Sequence, residues 1–484
     1  MNRLVRIELR KIFAKKTIYI FFAIVSALTI VSAVLEKNIT KLFDLVEYKA
    51  NAEMYKQSLE NYDLEDPEQL EYYIEDKTEY DTIMLAKDYE TYSAEHTYIY
   101  SDIKDSIHCM NESKYKTKDD DKYNECKQQY DKQLEFVKNY DWKKHIEEEK
   151  ESVQDQIQSL KLGINSGLLD EKEYENQLAV LELSLSVLDY RLEHEIPIDS
   201  SSASMELAVY LSSYEEYLRF DNEKNIVNRE ELLEKKNAEA NYMISKYKFE
   251  HGLIKDTGRA LVGDNSATAV AAVFSGGTFS LLFMLIIAGG IVAEEFNKGT
   301  IKQLLLKPYS RGKILTSKII ASIIVFVLFM MAYGLMTGLV NGIVFGDIKS
   351  LFEPMLVYDF NKSEVIKQSL FINCFEKFIS VLPMFLILLG VSILFGVLTT
   401  NVATAIVIPL ACNIGASIIN AFARGRLFAF LPTMCWNLTE FLHGGMPTFK
   451  YLKLPICIVV DVITIVLLYG FSYFFFKKKD IKNQ

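Results

Sequence analysis

The sequence predicts an all-α membrane protein with about six transmembrane helices and a large helical domain inserted between the first two. Six apolar stretches are each long enough to cross a bilayer. Residues 36–265 carry 53 acidic and 29 basic side chains, a net charge of −24, whereas the rest of the chain carries 11 and 24, a net charge of +13. This asymmetry indicates an acidic soluble domain joined to a membrane part with basic ends.

Residues 1–16 are predicted to form a basic amphipathic helix at the membrane surface. Leu4, Leu9 and Ile12 share one helical face, and most of the basic side chains lie off it. Two interpretations are open: an interfacial helix before an uncleaved first span at 17–35, or a signal peptide. The apolar run is longer than a usual signal-peptide core, which favours a span.

The inserted domain, residues 36–265, is predicted to be helical and to resemble a hairpin or a coiled coil. It contains only two prolines, Pro67 and Pro197. Residues 142–162 and 169–195 both carry apolar residues at helical spacing, and the glycine-containing stretch 163–167 separates them. Two such helices joined by a short turn are expected to form an antiparallel hairpin.

The chain returns to the membrane in residues 266–484, a transmembrane domain with five further predicted spans. Residues 422–454 are too polar to cross the bilayer but apolar enough to dip into it. The predicted spans are residues 267–292, 319–345, 372–398, 402–421 and 455–476.

The distribution of basic residues predicts the topology. With the N-terminus inside the cell, alternating crossings place the basic loop 293–318 and Lys477–Lys479 inside as well, in agreement with the positive-inside rule. The same alternation makes residues 36–265 extracellular. We therefore expect a multi-pass protein of the bacterial plasma membrane with both termini in the cytoplasm.

The loop 293–318 is the most informative stretch of the sequence. Gly299-Thr300, followed by apolar residues at helical spacing, reads as a helix start, and Pro308 interrupts the pattern. One interpretation is a basic loop that only sets topology. The other is a short helix presented to a cytoplasmic partner.

In the order and spacing of its residues, this loop resembles the first cytoplasmic loop of type-2 ATP-binding-cassette (ABC) exporter permeases. In that family the loop carries the coupling helix that docks on the ATPase subunit, and an amphipathic elbow helix, similar to residues 1–16, precedes the first span. The resemblance covers residues 1–35 and 266–484 only. It implies a role in ATPase coupling for Glu294, Glu295, Phe296, Gly299, Thr300, Lys302, Leu305, Pro308, Ser310 and Arg311.

No motif for catalysis or for cofactor binding is found in the sequence. The phosphate-binding loop GxxxxGK[ST], the nucleophile elbow and HExxH do not occur, so we expect a chain that is not an enzyme and binds no cofactor itself. The resemblance implies that ATP and magnesium bind to a partner ATPase. It also implies a second permease subunit, identical or different, beside membrane lipid; no nucleic-acid partner is expected.

Three of the polar residues within predicted spans stand out, and each has two interpretations. Asp461 either lines a cavity or binds a coupling ion, or it is satisfied by water or a neighbouring helix. Asn413, like Asn420, either has a functional role or forms hydrogen bonds between packed helices. Cys109 and Cys126 either form a disulfide outside the cell or remain free thiols.

Two functions are therefore weighed. The first is the permease subunit of an ABC exporter that moves, or confers resistance to, an amphiphile such as an antimicrobial peptide, a lipid or a drug. The second is a structural or receptor-like membrane protein, or a secretion accessory factor, with an external helical stalk and no ATP coupling. The intact coupling-type loop favours the exporter.

Overall fold

The protein divides into two compact units. The computed structural model describes residues 1–88, 94–138, 141–165, 171–198, 201–222, 229–257, 259, 265–300, 309–422, 426–447 and 449–479. The membrane unit comprises Met1–Val34, Glu223–Tyr247 and Asp264–Gln484; the inserted unit comprises Leu35–Asn222 and Lys248–Gly263. The predicted inserted segment, residues 36–265, thus contributes residues 223–247 to the membrane unit.

Six described helices of the chain are long and apolar enough to cross a membrane, so the expectation of a helical membrane protein is confirmed. We number them span 1 to span 6 in chain order. Their bounds are Lys16–Asn38, Ser266–Asn297, Arg311–Phe345, Leu370–Thr399, Val402–Asn420 and Leu454–Lys478. The main apolar core of the membrane unit is formed by residues of spans 1 to 5, together with Ile12, Trp436 and Phe476.

The N-terminal amphipathic helix is present as α1, Asn2–Phe13. Its buried residues are Leu4, Glu8 and Ile12, which follow one another at intervals of four and therefore lie on one face. Span 1 is the first part of a longer helix, α2, which runs from Lys16 to Leu59.

Span 2 was predicted as one continuous helix but consists of two: α10, Ser266–Val273, and α11, Thr278–Asn297. Gly276 lies between them with φ +93°, a left-handed conformation that is strained for other residues. The side chain of Asn265 caps the start of α10 by accepting from the backbone N–H of Thr268.

The connection between spans 3 and 4 departs from an all-helical fold. A short 3₁₀ helix, Ile348–Leu351, precedes an antiparallel hairpin of β1, Met355–Asp359, and β2, Glu364–Gln368. Val357 pairs with Ile366 and Tyr358 with Val365. These β-branched and aromatic residues favour strands, so the hairpin departs from the all-α fold class that the sequence predicts.

The segment between spans 5 and 6 is irregular, as its mixed composition predicts. It contains 3₁₀ helices Arg426–Phe430 and Thr439–Gly444 and a short helix Pro432–Cys435. Backbone hydrogen bonds join it to span 4 beside Pro383: Met384 N donates to Trp436 O (3.2 Å) and Leu438 N donates to Ser380 O (2.9 Å). The reciprocal pair fixes Trp436 against the middle of span 4.

The inserted unit is built from helices. The remaining helices before span 2 are α3 Pro67–Asp88, α4 Ala94–Glu112, α5 Asp120–Lys138, α6 Trp142–Asn165, α7 Glu171–His194, α8 Ser202–Asn222 and α9 Arg229–Glu250. The last of these, α9, passes from the membrane unit into the inserted unit. A π-helical turn, Ser113–Thr117, follows α4.

Helices α6 and α7 form the predicted antiparallel hairpin. Ile146 near the start of α6 packs in one cluster with Leu188 near the end of α7. Lys150 pairs with Asp189, and Lys143 Nζ lies 3.1 Å from Glu195 Oε1, so the beginning of one helix lies beside the end of the other. The predicted turn falls partly on residues 166 and 167, which lie outside the described residues.

The structure joins Cys109 and Cys126 by a disulfide, which is one of the two alternatives that the sequence left open. Their Cα atoms are 5.9 Å apart, within the usual range for a disulfide. The bond links α4 to α5. It closes a loop that spans the π-helical turn.

Candidate functional site

The basic connection between spans 2 and 3 is shorter than predicted because both helices extend into it. Span 2 continues to Asn297 and span 3 begins at Arg311, so the connection is residues 298–310 rather than 293–318. The predicted helix start after Thr300, with Lys302, Leu305 and Pro308, lies outside the described residues.

A buried ion-pair network lies where α1 meets the two ends of this connection. Lys318 Nζ is 2.9 Å from Glu8 Oε2 and 2.7 Å from Glu295 Oε2. The exposed fractions of these side chains are 0%, 2% and 13%, respectively. Since a buried charge is stable only when it is paired, the network ties α1, span 2 and span 3 to one another.

A second group of ion pairs extends the network along α1. Lys11 Nζ lies 2.7 Å from Glu295 Oε1 and 3.2 Å from Glu8 Oε1. Lys15, just after α1, pairs with Glu294 and donates to Gly290 O (3.1 Å). Both carboxylates at the end of span 2 are therefore engaged within the chain.

The electrostatics of Lys11 show how strongly this site favours charge. Burial acts to lower the pKa of Lys11, but the hydrogen bonds and negative charges of Glu295 and Glu8 outweigh it and raise the pKa above its usual value. Lys11 is consequently held in its charged form at neutral pH. This electrostatic coupling contributes to the attachment of α1 to span 2.

Gly299, Thr300 and Ser310 lie at the two ends of the connection. Gly299 has φ +64° and ends the helical path of span 2, and Thr300 is exposed. The Ser310 side chain accepts from Lys313 N (3.4 Å) and caps the start of span 3. The structure thus places these three predicted residues where the connection joins spans 2 and 3.

Phe296 and Arg311, also predicted coupling residues, contact the C-terminal part of the chain. The Phe296 ring is buried and packs edge-on against Phe476 at 6.1 Å. Arg311 Nη1 donates to the carbonyl oxygens of Lys477 (2.8 Å) and Lys479 (3.0 Å). Phe296 thus joins the end of span 2 to the end of span 6, and Arg311 joins the start of span 3 to the same end.

Sequence reasoning missed the network itself. It emphasised the cationic face of α1 and passed over Glu8, although Glu8 is the one acid among residues 1–35 and shares a helical face with Leu4 and Ile12. Lys318 was counted as one more basic residue of the loop. An acid on an apolar helix face and a lysine within an apolar run were the signals that could have identified the pair.

Asp461 and the two asparagines of span 5 lie in different surroundings. Asp461 in span 6 is 2% exposed, and neither of its carboxylate oxygens has a hydrogen-bonding partner among the described residues. Asn413 in span 5 lines a cavity together with Asn420, whose side-chain nitrogen donates to Thr433 O (3.0 Å). Of these residues, Asn420 therefore has a hydrogen bond that joins two elements.

Two comparisons with known proteins each match about half of the chain. The model of a family described as "Protein of unknown function (DUF2705)" matches residues 245–482, which include spans 2 to 6. A protein of Bacillus subtilis (strain 168), "Uncharacterized protein YhcI", is 25% identical over 248 residues, which cover 50% of this chain and 75% of that protein. No solved structure matches the chain. The chain is thus similar to proteins whose names assign no activity, and its function is argued from its residues.

Proposed function

We propose that the protein is the transmembrane permease subunit of an ABC exporter and that a separate cytoplasmic ATPase subunit drives it. The observation that carries this proposal is the buried contact of Lys318 with Glu8 and Glu295. It joins the N-terminal helix to both spans that flank the loop resembling a coupling loop. In this proposal the permease moves an amphiphile such as an antimicrobial peptide, a lipid or a drug, or confers resistance to it.

The network suits the transmission of force. A push on residues 298–310 acts on the end of span 2 and the start of span 3, and the ion pairs carry it to α1. Separating buried charges costs several kcal/mol, about 3–5 for one pair, so the three helix ends move together rather than apart. A connection that served topology alone requires no such attachment.

The assembly in this proposal has two permease subunits, identical or different, and two ATPase subunits. Because the sequence has no phosphate-binding loop, ATP and magnesium bind to the partner. The proposed orientation has both termini and residues 298–310 in the cytoplasm of the cell and the inserted unit outside the plasma membrane. The disulfide between Cys109 and Cys126 suits an oxidising exterior.

Affinity purification from native membranes tests the proposal. The tagged protein, solubilised with its lipid, is expected to bring down an ABC ATPase. A matched variant in which residues 300–309 are replaced by an equal length of Gly and Ser is expected to lose the ATPase while it still elutes as a folded protein. Recovery of the intact protein without any ATPase would favour the structural or receptor-like alternative.

A further inference from the structure

A polar cavity of about 350 Å³ lies in the membrane unit, apart from the ion-pair network. Its lining residues belong to span 4, span 5 and the irregular segment before span 6. The lining residues on which its chemistry depends are Asn413, Ser417, Asn420, Thr433, Trp436 and Glu440. A cavity of this size accommodates a head group with part of an alkyl chain.

Three of these residues form a polar stripe on one face of span 5. Asn413, Ser417 and Asn420 follow one another at intervals of four and three, so they lie one above the other on the helix. Packing explains part of the stripe, since Asn420 Nδ2 donates to Thr433 O. It does not explain why all three residues border a cavity.

Two oxygen atoms at the cavity lack partners. Asn420 Oδ1 and Thr433 Oγ1 are buried, and neither forms a hydrogen bond within the part of the chain that the structure describes. An unsatisfied buried polar atom costs about 1–3 kcal/mol, so such atoms require an explanation. An amide oxygen accepts hydrogen bonds, which indicates that a matching ligand supplies N–H or O–H donors.

The charge and the aromatic rings of the lining favour a cation. Glu440 supplies a carboxylate, and Trp436 and Phe449 contribute aromatic rings, a residue type that attracts positive charge. No lysine, arginine or histidine is found among the described residues that line the cavity. The charge of Glu440 also acts on Arg229, whose guanidinium donates to Pro447 O (3.1 Å). The carboxylate therefore attracts Arg229 as well as a cation in the cavity.

We propose that this cavity binds the primary ammonium head group of an amphiphile. An ammonium group carries the positive charge that Glu440 and the rings favour, and it has three donors for the unpartnered oxygens. A quaternary ammonium has the charge but no donor. Met384 and Leu452, which also line the cavity, provide apolar contacts for the chain of the ligand. The inference names a substrate class for the proposed exporter, and it rests on that function only for the transport step after binding.

The chain offers a reporter for the test. It contains two tryptophans, Trp142 and Trp436, so Trp142→Phe leaves only the cavity residue, which is 6% exposed. The purified variant in phosphatidylcholine nanodiscs, without ATPase or nucleotide, is titrated with dodecylamine while tryptophan fluorescence is recorded. We expect saturable binding about tenfold tighter than that of dodecyltrimethylammonium, the matched cation without donors. Dodecanol, which is neutral, is expected to bind more weakly still.

Variants assign the binding to the cavity. Glu440→Gln keeps the shape of an exposed side chain and is expected to weaken dodecylamine binding about fivefold, the effect of about 1 kcal/mol. Thr433→Val removes Oγ1 at constant size and is expected to reduce the preference for dodecylamine over dodecyltrimethylammonium. The control Glu364→Gln, in β2 and outside the lining, is expected to bind as the parent does.

Changing the lipid of the nanodisc distinguishes two sources of the ammonium head group, a membrane lipid and a single-chain amphiphile. Weaker dodecylamine binding in nanodiscs that contain phosphatidylethanolamine assigns the site to a lipid, and unchanged binding assigns it to single-chain amphiphiles; both support an ammonium site. Equal affinity for the amine and its trimethyl analogue, or a signal that never saturates, would overturn the inference. If the ATPase still co-purifies in that case, the proposed function stands and only the cavity assignment fails.

Discussion

Lys318 Nζ lies 2.9 Å from Glu8 Oε2, across 310 residues of sequence, and both side chains are almost fully buried. The second carboxylate, Glu295, approaches the same ammonium group at 2.7 Å. One cation therefore pairs with acids from α1 and from span 2. This contact attaches the N-terminal helix to the two spans that flank the basic connection.

Replacing Lys318 is expected to destabilise the membrane unit. In Lys318→Met, Glu8 and Glu295 remain near each other with less compensating charge, which costs about 3 kcal/mol. The exposed Lys313→Met, five residues earlier on the same helix, is the matched control and is expected to unfold as the parent does. Thermal unfolding in detergent, followed by size-exclusion chromatography, measures both.

A double variant separates charge from packing. Adding Glu8→Gln to Lys318→Met removes one of the uncompensated charges and is expected to restore part of the lost stability. If instead the losses of stability caused by Glu8→Gln and by Lys318→Met simply add in the double variant, Glu8 and Lys318 do not interact as described.

The pH dependence of the attachment of α1 depends on Lys11. Because the pKa of Lys11 is raised in the folded state, its stabilising contribution is complete below the ordinary lysine pKa, about 10.4, and is lost as the pH rises through the higher folded value. Thermal stability is therefore expected to fall in alkali more in the parent than in Lys11→Gln. Identical profiles for the two proteins would contradict this role of Lys11.

The disulfide is expected to stabilise the inserted unit. The cysteines are 17 residues apart, and closing a loop of that length contributes about 3 kcal/mol by restricting the unfolded chain. The double variant Cys109→Ser with Cys126→Ser should melt at a lower temperature than the parent, and a reductant should lower the parent to the level of the variant. Free thiols at both positions in protein from native membranes would show that the bond does not form in the cell.

Cysteine labelling tests the orientation in the membrane. The four free cysteines, Cys374, Cys412, Cys435 and Cys457, are replaced, and the disulfide is kept because it does not react with maleimides. In this background Ser310→Cys is expected to resist an impermeant maleimide in intact cells and to react after lysis. Lys118→Cys, in the inserted unit, is the positive control for the outside. Ready labelling of Ser310→Cys in intact cells would invert the topology.

Much of the membrane architecture can be predicted from the sequence because apolar length and helical periodicity are local properties. The six spans, the amphipathic α1 and the α6–α7 hairpin can be derived from them. The break of span 2 at Gly276 and the β-hairpin at 355–368 were not predicted. The break depends on a single glycine and the hairpin on two short strands, and both are too short to give a clear periodic pattern.

The candidate site was predicted only in part, because long-range pairing leaves little trace in a sequence. Glu294 and Glu295 were identified by resemblance, but their partners Lys15 and Lys318 belong to other elements. Similarly, Asn413 was noted as a polar residue within a span, whereas the cavity that it lines is closed by a segment more than ten residues away. Such sites become visible once packing brings distant elements together.

The central claim is that residues 298–310 are held by an ATPase in the cytoplasm. A photo-crosslinking amino acid in place of Thr300, which is exposed at the end of span 2, tests it most directly in native membranes. The account predicts one dominant adduct, identified by mass spectrometry as an ABC ATPase. The adduct is expected to be lost when the probe stays at position 300 and residues 301–309 are replaced by Gly and Ser. An intact, folded protein that yields no ATPase adduct, or an adduct with an extracellular protein, would contradict it.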